Sequence, residues 1–313
     1  MDSSQNKYKS GGKIVYQSNL RGKHSEEHCC LRIGTWNVRT LLREGKLENL
    51  EREMKLCNLD LVGVCEARLE RRGEVISDDA ILYYSGNKRG RNGVGIMVNE
   101  KTIEAIKRVK YLGDRLISVK LEGKPIDLQI IQVYMPTTGH RDEEVEEIYN
   151  LIDKEMEEGK ECCTIIMGDW NAVVGEGREE KIVGEYGLGN RNERGEKLVE
   201  FCKEKNWVVV NTWFKNHKRR LYTWKAPGDC YRKQIDYILI KQRYRNGVMK
   251  LHCLPGADIE SDHVMVMAEL IIGLKKIRMA GKRKKWNLEK INEMGREVFG
   301  EKIDLSRKEQ KGE

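Results

Sequence analysis

The sequence predicts a layered domain of the α/β or α+β class, built on paired β-sheets. About eleven short apolar runs, rich in isoleucine and valine and flanked by glycine or charge, favour strands over helices. Only three stretches carry apolar residues at helical spacing. The strand–helix alternation of a dinucleotide-binding fold is absent, as are the GxGxxG and GxxxxGKS/T phosphate loops.

The predicted strands are short and several are joined by short turns. In chain order they are LRIGTW, LVGVCE, ILYYS, VGIMV, RLISVKL, IDLQIIQVYM, TIIMGDW, WVVVN, LYTW, QIDYILI and HVMVMAELII. The turns GNKRGRNG and KAPGDCYRK each join two neighbouring runs, which points to paired sheets with mostly antiparallel strands.

Each of the three helical stretches presents one apolar face, and contact with the core is the simplest use of that face. Their apolar positions are Leu47, Leu50 and Met54 in the first, Val145, Ile148, Tyr149, Ile152 and Met156 in the second, and Leu198, Phe201 and Cys202 in the third.

The chain predicts one folded domain between two polar arms. Its 313 residues, 39% hydrophobic and 35% charged, can bury one sizeable core or two small ones. Residues 1–30 are polar and lack periodicity, and residues 273–313 include the basic run LKKIRMAGKRKKW. We expect a flexible N-terminal arm, a domain at residues 31–272 and a basic C-terminal extension.

The net charge of +8 lies mainly outside this domain. Residues 274–313 contain thirteen Lys and Arg against seven Asp and Glu, and residues 1–30 contain five against three. The domain itself is close to neutral, so phosphate binding there needs local basic loops or a metal ion. The basic C-terminal run is expected to be either a nuclear address or a DNA-binding arm.

The sequence predicts an intracellular, nuclear protein without a membrane segment. No apolar stretch reaches the roughly 18 residues of a membrane helix, and the N-terminus lacks the apolar core of a secretory signal. Nine cysteines occur without a CxxC pair, and several lie inside apolar runs. This pattern favours reduced, packed thiols over disulfides or a zinc site.

Polar residues of the kinds that a metal-dependent hydrolase needs recur where predicted strands end. Asp169 and Asn171 follow TIIMG, where a turn is the alternative explanation. The other positions are Asn37 after LRIGTW, Glu66 after LVGVC, Tyr134 after IIQV, Asp236 in QIDYILI, and Ser261, Asp262 and His263 before the last strand. Strand ends can gather such residues at one rim of a sheet.

In chain order these residues form the pattern TWN, E, VY, GDxN, IDY and SDH, which resembles the endonuclease/exonuclease/phosphatase superfamily over about residues 31–272. The stretches IGTWNVRTL, VGVCEAR, YTWKAPG and QIDYIL are most similar to non-LTR retrotransposon endonuclease domains and the host proteins descended from them. The resemblance implies a four-layer αββα sandwich of two packed, mostly antiparallel sheets flanked by helices. It also implies DNA as the main partner, with chromatin proteins as further candidates.

Hydrolysis of a negatively charged phosphodiester needs a divalent cation and a base that activates water. Mg²⁺, or Mn²⁺ in its place, prefers oxygen ligands and keeps several waters. Glu66 is the expected metal ligand. Asn37 is expected to be a second, uncharged ligand or a group that orients Glu66.

The remaining polar residues suggest catalytic parts. Asp169 is expected to act as general base or to orient the water, and Asn171 to donate its amide to the phosphate. His263, kept as imidazolium by Asp236, would donate to a non-bridging oxygen. Asp262 is either a further metal-side carboxylate or an orienter of the water.

Other residues are expected to contact the nucleic acid. Tyr134 would hydrogen-bond the phosphate or the leaving group, and Ser261 and Thr223 resemble the polar residues that related retrotransposon enzymes place beside the phosphate. Two basic loops extend this set: Arg89 and Arg91 lie in GNKRGRNG, and Arg232 and Lys233 lie in KAPGDCYRK. By position, KAPGDCYRK resembles the hairpin that enters a DNA groove in related endonucleases.

Arg39 is a departure from the apurinic endonucleases, which carry an acidic residue two positions after the first Asn. The difference argues against abasic-site repair more than against catalysis. We expect a Mg²⁺-dependent DNA endonuclease that leaves a 3′-hydroxyl, the end that a reverse transcriptase extends, in a truncated element or a domesticated host protein. The alternative is a domesticated protein that binds nucleic acid or chromatin and no longer cleaves.

Overall fold

The computed structural model describes residues 30–77, 79–271 and 273–274. Its strands are β1 (Cys30–Asn37), β2 (Leu61–Cys65), β3 (Arg72–Ile76), β4 (Ala80–Ser85), β5 (Val94–Asn99), β6 (Ile106–Tyr111), β7 (Leu116–Leu121), β8 (Gly123–Lys124), β9 (Leu128–Tyr134), β10 (Cys163–Asp169), β11 (Trp207–Val209), β12 (Trp224–Lys225), β13 (Arg232–Lys233), β14 (Asp236–Lys241), β15 (Val248–Leu254), β16 (Met265–Ile271) and β17 (Gly273–Leu274). Its α-helices are α1 (Lys46–Leu56), α2 (Glu100–Ile103), α3 (Asp142–Glu158) and α4 (Glu193–Glu204). The predicted arms, residues 1–30 and 273–313, lie outside the described residues apart from Cys30, Gly273 and Leu274.

Two sheets form the centre of the domain. One has seven strands in the order β15–β16–β1–β2–β5–β4–β3, and the other has six in the order β11–β14–β10–β9–β7–β6. Only β1 with β2 and β9 with β10 pair in parallel within these described sheets, so the predicted, mostly antiparallel pairing is confirmed. Each of the eleven predicted runs overlaps one of the strands, although LYTW shares only Trp224 with β12.

Three buried apolar clusters separate the layers. Ile165 of β10 lies in the cluster between the two sheets, whereas its neighbour Ile166 packs with Ile152 of α3 on the opposite face, because adjacent strand residues point to opposite faces. On the far side of the seven-stranded sheet, Val62 of β2 packs with Leu50 of α1. The layers are therefore helix, sheet, sheet and helix, as predicted. Leu50 and Ile152 are fully buried, so truncating either to Ala should cost about 2–5 kcal/mol.

A buried polar network joins the two sheets through their strand centres. The amide nitrogen of Gln132, on β9, donates to Thr35 Oγ1 of β1 at 3.0 Å and to Cys65 Sγ of β2 at 3.0 Å. Gln132 reaches across because β2 has glycine at position 63, where a Cβ atom would lie 1.9 Å from Gln132 Oε1. The network holds together the strands that carry the polar rim described below.

Two further predictions concern helices and thiols. The eight cysteines among the described residues are free, and five of them are buried as predicted, whereas Cys57 is half-buried and Cys30 and Cys230 are exposed. In the same part of the chain, no helix combines the length and the apolar character that crossing a bilayer requires.

Candidate active site

At one edge of the sandwich, the inter-sheet faces of four strands carry polar side chains in place of apolar ones. Residues two apart on a strand share a face, so Asn37, Tyr134, Asp169 and Asp236 continue the faces whose inner positions form the inter-sheet core. β1, β9 and β10 end at these residues, and the antiparallel β14 begins at its own. All four residues are buried. Because these strand ends lie at the same edge, the four residues predicted from sequence converge on one rim.

Asn37 connects the two sheets at this rim. Its side-chain nitrogen donates to Glu66 Oε1 at 3.0 Å and to Asp169 Oδ2 at 2.9 Å, and its side-chain oxygen accepts the backbone N–H of Arg39 at 3.0 Å. Only a donor can face two carboxylates, so the amide orientation is fixed by chemistry. Of the two expected parts for Asn37, the geometry favours orienting Glu66 over binding a metal.

Asp169, Asp236 and His263 form a buried cluster of three titratable groups. The two aspartates are direct partners across the antiparallel pair of β10 and β14. His263 Nδ1 lies 3.0 Å from Asp236 Oδ2, and Nε2 lies 3.9 Å from Asp169 Oδ2. Asp236 Oδ1 is buried and has no hydrogen-bond partner, so one carboxylate oxygen of the cluster is still free.

The charges in this cluster shift the pKa values in a consistent way. Burial, and then the negative charge of Asp236, raise the pKa of Asp169 to about 7. Burial alone would lower the pKa of His263, but the charge of Asp236 and the hydrogen bond to it raise that pKa to about 9. At neutral pH, His263 is therefore an imidazolium and Asp169 is close to its point of proton exchange.

Glu66 follows β2 and points at the same rim. Its Oε1 accepts from Asn37 and, at 3.3 Å, from the hydroxyl of Tyr134. Its Oε2 lies 2.5 Å from Nη2 of Arg68. Burial, and then the charge of Glu66, raise the pKa of Tyr134, so the phenol stays protonated and acts as a donor.

Asn171 and Ser261 are engaged by the protein itself. Asn171 donates its side-chain amide to the carbonyl of Met135 at 2.9 Å and its backbone N–H to Asp169 Oδ1 at 3.0 Å. The hydroxyl of Ser261 donates to the carbonyl of Asn37 at 2.6 Å. In this arrangement Asn171 holds Asp169, and the second N–H of its side-chain amide can still donate to a phosphate, whereas the hydroxyl proton of Ser261 is already used.

Thr223 is placed differently from its expected position beside the phosphate. It is fully buried, and its hydroxyl oxygen accepts the backbone N–H groups of Ile235 and Asp236 at 2.9 and 3.0 Å. A sealed hydroxyl cannot reach a DNA strand. Thr223 instead fixes the main chain at the start of β14 and with it the carboxylate of Asp236.

Asp262 lies at the outer edge of the cluster and is held from two sides. The indole nitrogen of Trp224 donates to its Oδ2 at 3.1 Å, and Nε of Arg39 lies 3.6 Å from its Oδ1. The cation that Arg39 adds to this chain is thus paired with an acid of the rim.

The expected DNA-binding residues lie on two exposed loops. Arg89 and Arg91 are exposed on the turn between β4 and β5. Arg232 on the β12–β13 ribbon pairs with Asp229 and stacks 4.4 Å from the ring centroid of Tyr222. Lys233 lies 5.9 Å from the ring of Trp224, which joins the ribbon to the rim.

Sequence reasoning missed two residues of the site. Arg68 was hidden because its contact with Glu66 depends on a left-handed backbone, with φ values of 57° and 53° for the two residues. Trp224 stands out in the sequence only as part of the motif YTWKAPG. The signal available for Trp224 was its place in that motif, between Thr223 and the basic residue Lys225.

The donor set fits an oxygen-preferring cation better than a nitrogen- or sulfur-preferring one. Asp169, Asp236 and His263 offer ligand atoms within 4.8 Å of one another, but a histidine of raised pKa has to release its proton before it can bind a metal. Glu66 offers carboxylate oxygens at the same rim, as Mg²⁺ sites require. Its Oε2 oxygen is already paired with a guanidinium, which a metal ion would have to replace.

Comparisons with known proteins agree with this fold. The chain matches the model of the Endonuclease/Exonuclease/phosphatase family over residues 34–263. It is 41% identical over 261 residues to craniofacial development protein 2 of Bos taurus, which covers 82% of this chain and 44% of that protein. The chain thus spans less than half the length of this relative.

Two solved structures show the same fold. The catalytic domain of Xenopus laevis APE2 matches with a TM-score of 0.61 and 14% identity, covering 80% of this chain and 94% of that one. The endonuclease domain of TRAS1, a telomere-specific non-LTR retrotransposon, matches with a TM-score of 0.53 and 12% identity, covering 77% and 98%.

Fold and rim together define an αββα sandwich of the nuclease and phosphatase class. The chain belongs to the Endonuclease/Exonuclease/phosphatase family, as its ordered motifs predict. Members of this family are generally hydrolases.

Proposed function

We propose that this domain is a divalent-metal-dependent endonuclease that hydrolyses a DNA phosphodiester and leaves a 3′-hydroxyl. The observation that carries the proposal is the bridge formed by Asn37, which donates to Glu66 and to Asp169 from one nitrogen atom. The bridge supports the proposal because Glu66, the proposed metal ligand, then lies beside a carboxylate of raised pKa and next to a histidine of raised pKa. Residues with these properties, buried at one rim, support hydrolysis of an anionic ester.

Each group then has a part. Asp169, with its pKa near neutrality, takes the proton from the attacking water and is held for this by Asn37 and by the backbone N–H of Asn171. His263, kept charged by Asp236, donates from Nε2 to a non-bridging phosphate oxygen, where negative charge grows in the transition state. Asp262 stays paired with Arg39 and Trp224, which fits the expected role of orienting the attacking water.

A cation completes the set. When bound at Glu66, Mg²⁺ or Mn²⁺ offsets charge on the phosphate and on the leaving oxygen. Tyr134 keeps the Glu66 carboxylate turned toward the rim by donating its O–H.

The DNA partner is supported by the exposed basic loops and by what the structurally similar proteins are. Arg89, Arg91, Arg232 and Lys233 lie on loops beside the rim, where they can contact phosphates. TRAS1 is described as a non-LTR retrotransposon, and an origin of this chain from such an element is part of the proposal. A nuclear location and chromatin proteins as partners belong to the same proposal.

Nicking of supercoiled plasmid tests the function. We expect the purified protein to convert supercoiled plasmid to the nicked form with Mg²⁺, to lose this activity in EDTA, and to leave ends that a DNA polymerase extends without prior treatment. Nicks that are extended only after phosphatase treatment would reject the 3′-hydroxyl, and no nicking with Mg²⁺ or Mn²⁺ would reject the endonuclease.

A second function is favoured by one observation: the Oε2 oxygen of Glu66 is paired with Arg68. A domain whose metal ligand is permanently paired would bind nucleic acid or chromatin without cleaving, which is compatible with similarity to a protein named for craniofacial development. The two functions separate in one experiment. If wild type and His263→Ala bind DNA equally and neither nicks it, the domain is a binding module.

A further inference from the structure

Both carboxylate oxygens of Glu66 contact donors from its own protein. One oxygen accepts from Asn37 and Tyr134, and the other lies 2.5 Å from the guanidinium of Arg68. Two cations cannot share a single carboxylate oxygen at close range without strong mutual repulsion. A metal ion at this oxygen therefore competes with Arg68.

The backbone holds Arg68 in the competing position. Arg68 has a φ of 57° and Glu66 a φ of 53°, and both values lie in the left-handed region that side chains other than glycine rarely adopt. Such conformations persist where the surroundings impose them and are concentrated at functional sites. Here the backbone N–H of Arg68 donates to the carbonyl of Asn92 at 2.9 Å, and its carbonyl accepts from Gly90 at 2.9 Å.

These two backbone bonds attach Arg68 to the basic turn that carries Arg89 and Arg91. The Arg68 side chain is 37% exposed, against 17% for Glu66, so its guanidinium lies at the boundary with solvent on the side of this turn. A DNA strand that runs over the turn would bring phosphates to the guanidinium. Phosphate is a good replacement for a carboxylate, because the guanidinium fork binds both with paired hydrogen bonds.

We propose that Arg68 is a positioning residue that occupies Glu66 in place of the metal ion until a DNA phosphate takes over its guanidinium. This rests on the proposed metal-dependent nuclease function and deepens it. Metal ion and DNA then bind with positive cooperativity, because each favours the state in which Arg68 has left Glu66. By linkage, DNA tightens metal binding by the same factor by which metal tightens DNA binding.

Mn²⁺ binding without turnover tests the proposal. Free Mn²⁺ is measured by electron paramagnetic resonance in the absence of DNA, for wild type, Arg68→Met and Arg71→Met. Arg71→Met is a matched control, because Arg71 is also left-handed and pairs with Glu70, at 3.7 Å. We expect Arg68→Met to bind Mn²⁺ about tenfold more tightly than wild type, and the control to match wild type.

A second set of measurements adds a short DNA duplex in a His263→Ala background, so that the duplex stays intact. The duplex should tighten Mn²⁺ binding by the protein that keeps Arg68 and by the Arg71→Met control. It should tighten Mn²⁺ binding by Arg68→Met much less. Thermal melts show that each variant is folded, and Arg68→Lys, which keeps the charge on a shorter side chain, should fall between wild type and Arg68→Met.

The Glu66→Ala variant distinguishes a failure of the Arg68 proposal from a failure of the proposed metal site. If Mn²⁺ binding depends on Glu66 but is equal in wild type and Arg68→Met, the competition by Arg68 is wrong and the proposed nuclease stands. If neither wild type nor Arg68→Met binds Mn²⁺ in a Glu66-dependent manner, the metal site itself is wrong, and both proposals fall.

Discussion

His263 and Asp236 form a buried pair at the rim of the sandwich, with Nδ1 of the histidine 3.0 Å from Oδ2 of the aspartate. The aspartate keeps the histidine charged against the cost of burial. Burial, and then the negative charge of the same aspartate, raise the pKa of Asp169 on the neighbouring strand. One carboxylate therefore acts on the protonation of both groups that handle protons in the proposed reaction.

Replacing Asp236 by Asn should move the whole pH profile of nicking to lower pH. In wild type, activity rises as Asp169 loses its proton near pH 7 and falls as His263 loses its proton near pH 9. Without the negative charge both pKa values fall, and the maximal rate should drop by about 10²–10⁴-fold, because an amide holds the His263 imidazolium less firmly than the carboxylate does. Nicking rates across the pH range test this.

Asp229→Asn is the matched control for that experiment, because Asp229 pairs with Arg232 on the exposed ribbon. It should leave the shape of the profile unchanged. A profile of the Asp236→Asn protein that keeps both limbs at the wild-type positions would contradict the assigned pair.

Gly63→Ala should destabilise the domain by about 1–3 kcal/mol, because the new Cβ would overlap Gln132 Oε1 at 1.9 Å. Urea unfolding measures the loss. The double variant Gly63→Ala/Gln132→Ala should lose less than the sum of the single losses, since it removes the overlap. Gly139→Ala, where a Cβ meets nothing within 4 Å, should be close to neutral. Strict additivity of the double variant would count against the proposed close approach.

His252 should make the domain sensitive to acid. Burial, and then the positive charges of Lys250 and Arg220, lower the pKa of His252 from 6.5 to about 4, and its Nδ1 has no hydrogen-bond partner. As the pH falls, the unfolded chain therefore takes up a proton at His252 before the folded chain does. The folded state keeps its full stability above pH 6.5 and loses stability as the pH falls toward 4. The free energy of unfolding of His252→Leu should decline less than that of wild type over this range.

The exposed His217 provides the control for this titration. His217→Leu should show the acid dependence of wild type. An equal decline in the free energy of unfolding of wild type and His252→Leu would show that His252 does not cause the acid sensitivity.

The basic turn should set part of the salt dependence of DNA binding. Each phosphate contact contributes about one to the slope of log affinity against log salt, so Arg89→Gln with Arg91→Gln should flatten that slope by about two. Lys101→Gln changes an exposed cation on α2, which follows the opposite end of β5 and should leave the slope unchanged. If the control and the double variant flatten the slope equally, the turn has no special part in binding.

The inner strands of the two main sheets could be predicted from sequence, whereas of their four edge strands only β11, which is wholly buried, could be. β3, β6 and β15 were missed, and each lies at an edge of its sheet. Edge strands have one free side and take exposed or charged residues, so RGEVI and IKRVKY lack the apolar pattern that identifies inner strands.

The site could be predicted in part for a related reason. Asn37, Asp169 and Asp236 interrupt apolar strands and are visible as polar residues at strand ends. Thr223 looks the same in sequence, but only the structure shows that its hydroxyl is sealed against β14. The pairing of Arg68 with Glu66 depends on two left-handed residues, which no residue type in CEAR signals.

The most direct test of the central claim compares wild type with Asp169→Asn, an exchange of nearly equal shape that removes the base and keeps the hydrogen bond from Asn171. Nicking of supercoiled plasmid with Mg²⁺ is measured at saturating protein, with DNA binding measured alongside. We predict equal DNA binding, with nicking by the variant reduced at least about 10²-fold. Nicking by Asp169→Asn at the wild-type rate would show that this rim is not where the phosphodiester is cleaved.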